Sequence, residues 1–204
     1  QDEKGHLERS VTRSIFFICL LVFPSLMGII ILSPILVHVV PRYEQWIPAL
    51  VPIIFISINF AFASATTQLT NLLNAIGKIK ITFYLMIMWT VLSWLLIPIL
   101  SIKFGVVGAS VGYSLVGASS IVAIFIAKKF VNFSIGDSII KPLIGTLVMG
   151  AVLFLVRRFL DTSINSMLIL GLIGILVYGS SMVSMMGVSL IEDAKKSFKA
   201  IFGK

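Results

Sequence analysis

The chain has 204 residues, 58% of them hydrophobic and only 12% charged, with a net charge of +8 and a mean hydropathy of +1.10. So apolar a composition excludes a soluble domain, and the basic residues are scattered among connectors rather than gathered into a face for nucleic acid. The basic excess reads instead as anchoring to anionic headgroups and control of topology, and the lone Cys19 rules out an intrachain disulfide.

Six long apolar runs follow in chain order: Ile15–Val40, Ile47–Ile76, Ile81–Ile102, Val106–Ala127, Ile139–Val156 and Ile164–Leu190, and among Asp, Glu, Lys and Arg only Lys141, at the edge of the fifth, falls inside them. A helix needs about 20 apolar residues to cross the hydrocarbon core, where backbone groups must be satisfied internally. The expected fold class is therefore all-α: a polytopic transmembrane bundle of six spans covering residues 15–190. Residues 1–14 are expected as a cytoplasmic connector and residues 191–204 as an amphipathic cytoplasmic tail.

Pro24 and Pro34 interrupt the first span and invite bends. Pro48 and Pro52 open the second, where a missing N–H costs little. Gly105, Gly108, Gly112 and Gly117 in the fourth, and Gly171, Gly174 and Gly179 in the sixth, read as close helix packing rather than as hinges. Ser134–Ile135–Gly136–Asp137 has the form of a helix start. In the tail, Ile191, Phe198, Ile201 and Phe202 can share one face and leave the lysines to the headgroups.

Charge asymmetry predicts the orientation. The N-terminal segment, the second–third and fourth–fifth connectors and the tail hold twelve Lys and Arg residues, among them Arg9, Arg13, Lys78, Lys80, Lys128, Lys129 and Lys141. The opposite connectors hold only Arg42, Lys103, Arg157 and Arg158. The positive-inside rule then expects a multi-pass protein of the cell (plasma) membrane with both termini cytoplasmic.

Little in the chain suits catalysis. The acidic residues all fall outside the spans, the two histidines are His6 and His38, and neither a metal-ligand cluster nor a catalytic carboxylate pair is present. The expectation is a non-enzyme with no cofactor, no metal and no nucleic-acid partner. A cation antiporter usually needs a buried carboxylate to bind its coupling ion, and the spans offer none. What they contain is uncharged polarity on the second span: Asn59, Thr66, Thr67, Gln68, Thr70, Asn71 and Asn74. Asn59, Thr66, Thr70 and Asn74 follow helical intervals and form a stripe, which Thr67 and Asn71 widen. Such a stripe must face other helices or a hydrophilic cavity, serving as interhelical glue or as a wall suited to sugar hydroxyls. Asn71 and Asn74, with Lys78 one turn on, would then shape a cytoplasmic mouth.

The stretch Thr70-Asn-Leu-Leu-Asn-Ala-Ile-Gly-Lys78 resembles the "LNA-x-G-K/R" feature of polysaccharide flippases, members of the multidrug/oligosaccharidyl-lipid/polysaccharide exporter superfamily. Lys103-Phe-Gly-Val-Val-Gly-Ala-Ser110 is similar to the family's "FG-x-x-G-A-A" turn, and Pro24 with Gly28 to a "P-x-x-x-G" feature of its seventh helix. The resemblance implies the C-terminal six-helix lobe of a transporter that flips a lipid-linked oligosaccharide by alternating access. It implies as partners membrane lipid, the lipid-linked glycan and an N-terminal lobe missing from this chain. The family's cationic pyrophosphate site has no counterpart inside these spans, so that role would fall to the other lobe or to Lys78, Lys80 and Arg13. Alternatives are a multidrug cation antiporter lobe and a non-transporting membrane scaffold.

Overall fold

Long apolar runs have one way to satisfy their backbones in hydrocarbon, and the computed structural model, which describes residues 2–132 and 134–186, is built of helices joined by short turns, with no strand among those residues. Helix α1 spans Asp2–Val39, and a 3-10 segment over Tyr43–Ala49 leads into α2, Leu50–Ala75. Helical structure then runs through α3, Ile79–Ala118, and α4, Ile121–Lys128. A π-helical turn at Gly136–Ile140 precedes α5, Lys141–Arg157, and α6 covers Ile164–Met186. Five helical stretches are long and apolar enough to cross a membrane.

The longest of these, Ile79–Lys128, is not one rod. Its 50 residues would extend about 75 Å as a straight helix, yet the Lys78 ammonium lies 5.1 Å from the centroid of the Phe130 ring. The reversal is at Gly105, whose φ of 61° and ψ of −143° lie in a region open essentially to glycine alone. Beyond it the chain returns along itself: a Cβ at Gly108 would fall onto the Leu100 carbonyl, and one at Gly112 would lie 3.1 Å from the Ile97 Cα. The glycines read as packing residues thus include the one that turns the chain.

Helix boundaries shift for local reasons. The segment expected as a connector is helical from Asp2 and continuous with the first span. The second span divides because Pro48 falls inside the 3-10 segment; Pro52 sits in the first turn of α2, where no carbonyl awaits its absent N–H. The helix start expected at Ser134–Asp137 is present: Ser134 Oγ accepts the Asp137 N–H at 3.3 Å and donates to the Asp137 carboxylate at 3.0 Å. Asp137 also pairs with Lys141 at 2.6 Å. The amphipathic tail and the last residues of the sixth expected span lie outside the described residues.

Large apolar side chains are found both inside the bundle and over its outer surface. Among the described residues the buried polar side chains are all Ser or Thr, while Trp94, Ile102, Leu176 and Phe159 are largely exposed. Large apolar side chains left outside, with uncharged hydroxyls as the polar part of the interior, suit a bundle whose solvent is hydrocarbon. Three apolar clusters hold it together. One centres on Ile15, Cys19, Phe23 and Leu69; a second on Ile31, Ile35, Met149 and Leu170; a third on Leu73, Leu85 and Ala123.

The two sets of connectors separate in space. Glu8 accepts the Asn132 N–H at 3.3 Å, Ser138 Oγ donates to the Thr12 carbonyl at 3.2 Å, and Lys78 meets Phe130. At the other end Val39, Val156 and Leu160 pack around one cluster. The N-terminal segment and the second–third and fourth–fifth connectors therefore share one end of the bundle.

Candidate functional site

On α2, Asn59, Ala63, Thr66, Thr67 and Thr70 recur at helical intervals and present one face. That face lines a cavity of about 170 Å³. Its other walls are Trp89 from the outgoing limb of α3, Val116 and Gly117 from the returning limb, and Ser120 at the joint before α4. Closure depends on Gly117, where a Cβ would lie 2.8 Å from the Asn59 Cα. Asn59 fixes the second wall by donating from Nδ2 to the Tyr113 carbonyl at 2.6 Å.

The threonines do not bridge helices. Thr66 donates to the Phe62 carbonyl at 2.7 Å, Thr67 to Ala63 at 2.9 Å and Thr70 to Thr67 at 2.9 Å. Each hydroxyl spends its one proton on its own helix and keeps accepting capacity. Trp89 is the complement: its indole N–H is buried with no partner. An orphaned buried donor costs about 1–3 kcal/mol unless something accepts from it. The lining therefore offers an unused donor, several hydroxyl acceptors, an amide and an aromatic face, with no charge. That combination suits a neutral polar ligand or water.

Of the residues expected to line a path, Asn59, Thr66, Thr67 and Thr70 are brought together. Asn71, Asn74 and Lys78 are exposed and are not brought to the cavity. The expected stacking of Lys78 on Asn74 does not occur, because α2 ends at Ala75. Gly77 at φ 75° turns the chain, its N–H bonds to the Asn74 carbonyl at 3.1 Å, and the Lys78 N–H bonds to Leu73 at 2.7 Å. These two bonds form a Schellman motif, so the Asn-Ala-Ile-Gly-Lys stretch is first a helix stop. Sequence reasoning missed Trp89 and Ser120. The available signal for Trp89 was an indole deep within a span instead of at its interface.

A larger groove of about 510 Å³ lies between α1, α5 and α6. Its polar members are internally satisfied, Ser25 donating to Leu21 at 2.7 Å and Tyr178 to Leu20 at 3.0 Å, so it presents hydrocarbon. No group of His, Cys, Asp or Glu among the described residues could hold a metal ion. No family model matches the chain, and neither the curated proteins nor the solved structures include a detectable relative.

Proposed function

We propose that the chain is a six-span lobe of a cell-membrane transporter that flips a lipid-linked oligosaccharide, working with a second lobe by alternating access. The observation that carries this reading is the uncharged polar cavity under Asn59, Thr66, Thr70 and Trp89. Sugars bring hydroxyls that both donate and accept, and faces that stack on indole; the lining matches those needs without an ion. The doubled Ile79–Lys128 stretch supports counting it as two crossings, giving six and returning both termini to the basic, cytoplasmic side. A cation-antiporter lobe has less support, since the buried polar residues among those described are Ser and Thr alone. The scaffold alternative draws support from the hydroxyls closed on their own helix.

The test is export of surface glycan by cells carrying the full-length gene, its deletion, or variants at matched expression. Deletion is expected to accumulate lipid-linked oligosaccharide, and Thr66→Val/Thr70→Val/Trp89→Phe to restore export at most about a tenth as well as wild type, the loss of about 1.4 kcal/mol expected from one or two hydrogen bonds. Trp89→Phe alone removes an orphaned donor, so folding should hold while export falls. Unchanged glycan in the deletion strain would sink the transporter reading, and full export by the triple variant would reduce the cavity to packing.

A further inference from the structure

A second groove, of about 450 Å³, runs down the outside of the bundle between the start of α3 and the end of α4. Ile81, Tyr84, Leu85 and Met88 form one wall, spaced as a single helical face; Val122, Ile126 and Phe130 form the other. The stretch from 81 to 88 is about 10 Å long, roughly two thirds of the ~15 Å hydrocarbon depth of one leaflet. The groove begins at the basic end of the bundle. Lys129 is part of its lining, and Lys78 sits over Phe130 with its ammonium 5.1 Å from the ring centroid. Lys80 and Lys128 are exposed next to them in sequence. Among the described residues no carboxylate pairs with any of these four lysines, whereas Lys141 is paired with Asp137.

An apolar trough as long as the upper part of an acyl chain, headed by unneutralised ammonium groups, has the charge and shape of one molecule. We infer that this groove is a binding site for an anionic membrane phospholipid, its phosphate held between Lys78 and Lys129 and one acyl chain lying along Leu85, Met88, Val122 and Ile126. Both lysines follow helix stops, which puts them at headgroup depth, and ammonium is a compact point charge suited to a phosphodiester. Phe130 caps the trough where chain meets headgroup, and its face steadies the Lys78 ammonium. This site is on the lipid-facing side of α3 and α4 and does not depend on the glycan reading of the cavity.

Native mass spectrometry of the full chain in detergent, with phosphatidylglycerol and phosphatidylcholine added in equal amounts, tests the site. Phosphatidylglycerol adducts are expected to exceed phosphatidylcholine adducts, and Lys78→Gln/Lys129→Gln to lower them roughly thirtyfold, about fivefold for each lysine withdrawn from the headgroup. Val122→Trp fills the trough while keeping every lysine and should lower them as well; circular dichroism checks that both variants remain helical. Lys103→Gln/Arg158→Gln removes two cations at the opposite end, including one that also stacks on a ring, and should leave the adducts unchanged. Equal loss in that control, or no loss in the Lys78/Lys129 pair, would overturn the site. Retention unaffected by Val122→Trp, or displacement of the lipid by millimolar inorganic phosphate, would show headgroup attraction without a groove and would also overturn it.

Discussion

Gly77 shows how one residue stops a helix in this chain. Its φ of 75° lets the Gly77 and Lys78 amides close on the last carbonyls of α2, and nothing stands within 4 Å of where its Cβ would be. The barrier to a side chain is therefore conformational, not steric crowding. Gly77→Ala should destabilise the protein by about 1 kcal/mol through the left-handed conformation it forces on alanine. Gly171 is the matched control, since it lies inside α6 at ordinary helical φ with open space around it. There alanine should be neutral or stabilise by up to about 1 kcal/mol. Thermal unfolding of the two variants in detergent would check the opposite signs; a common sign would reject the left-handed-stop explanation.

At the scale of elements, the informative feature is the doubling of α3. Leu96 and Gly112 would be about 24 Å apart along a straight helix, but a Cβ at Gly112 would sit 3.2 Å from the Leu96 carbonyl carbon. A Leu96→Cys/Gly112→Cys pair, built on Cys19→Ala to remove the native thiol, should therefore oxidise to an intramolecular disulfide, which needs Cα atoms within about 7 Å. Free thiols after oxidation would point to an unbroken rod. The reversal was half legible in the sequence: Lys103 between two apolar runs marked an end of a span, and the glycines marked close approach. What the pattern could not convey was how tight the turn is, because positive φ at Gly105 leaves no trace in hydropathy. The same limit applies to the cavity. Helical spacing placed Asn59, Thr66 and Thr70 on one face, but spacing does not say which carbonyl a hydroxyl chooses. Trp89 was illegible for a further reason: an indole counts as apolar in a span, and only the packed neighbours leave its N–H without an acceptor.

For the whole molecule, helix direction and charge placement agree. Helices α1 and α6 run antiparallel, with Tyr178 beside Leu20 and Leu170 packed with Ile31, so α6 ends near the level where α1 is still close to its basic start. Lys78, Lys80, Lys128 and Lys129 lie at that same end, and Lys103 lies at the turn 25 residues after Lys78, about 38 Å along a straight helix. That separation exceeds the ~30 Å hydrocarbon core, so the two ends can occupy opposite membrane faces. The positive-inside rule assigns the lysine-rich end to the cytoplasm. With Cys19 replaced by alanine, a cysteine at Lys103 should react with a membrane-impermeant maleimide in intact cells, and one at Lys78 only after permeabilisation. Both positions are exposed, so a failure to label would report the membrane barrier and not burial in the protein. Labelling of both in intact cells would leave the Ile79–Phe104 limb on one side of the membrane and remove two of the six proposed crossings. Labelling of Lys78→Cys alone would keep the crossings and invert the orientation, placing the unpaired lysines and their groove in the outer leaflet.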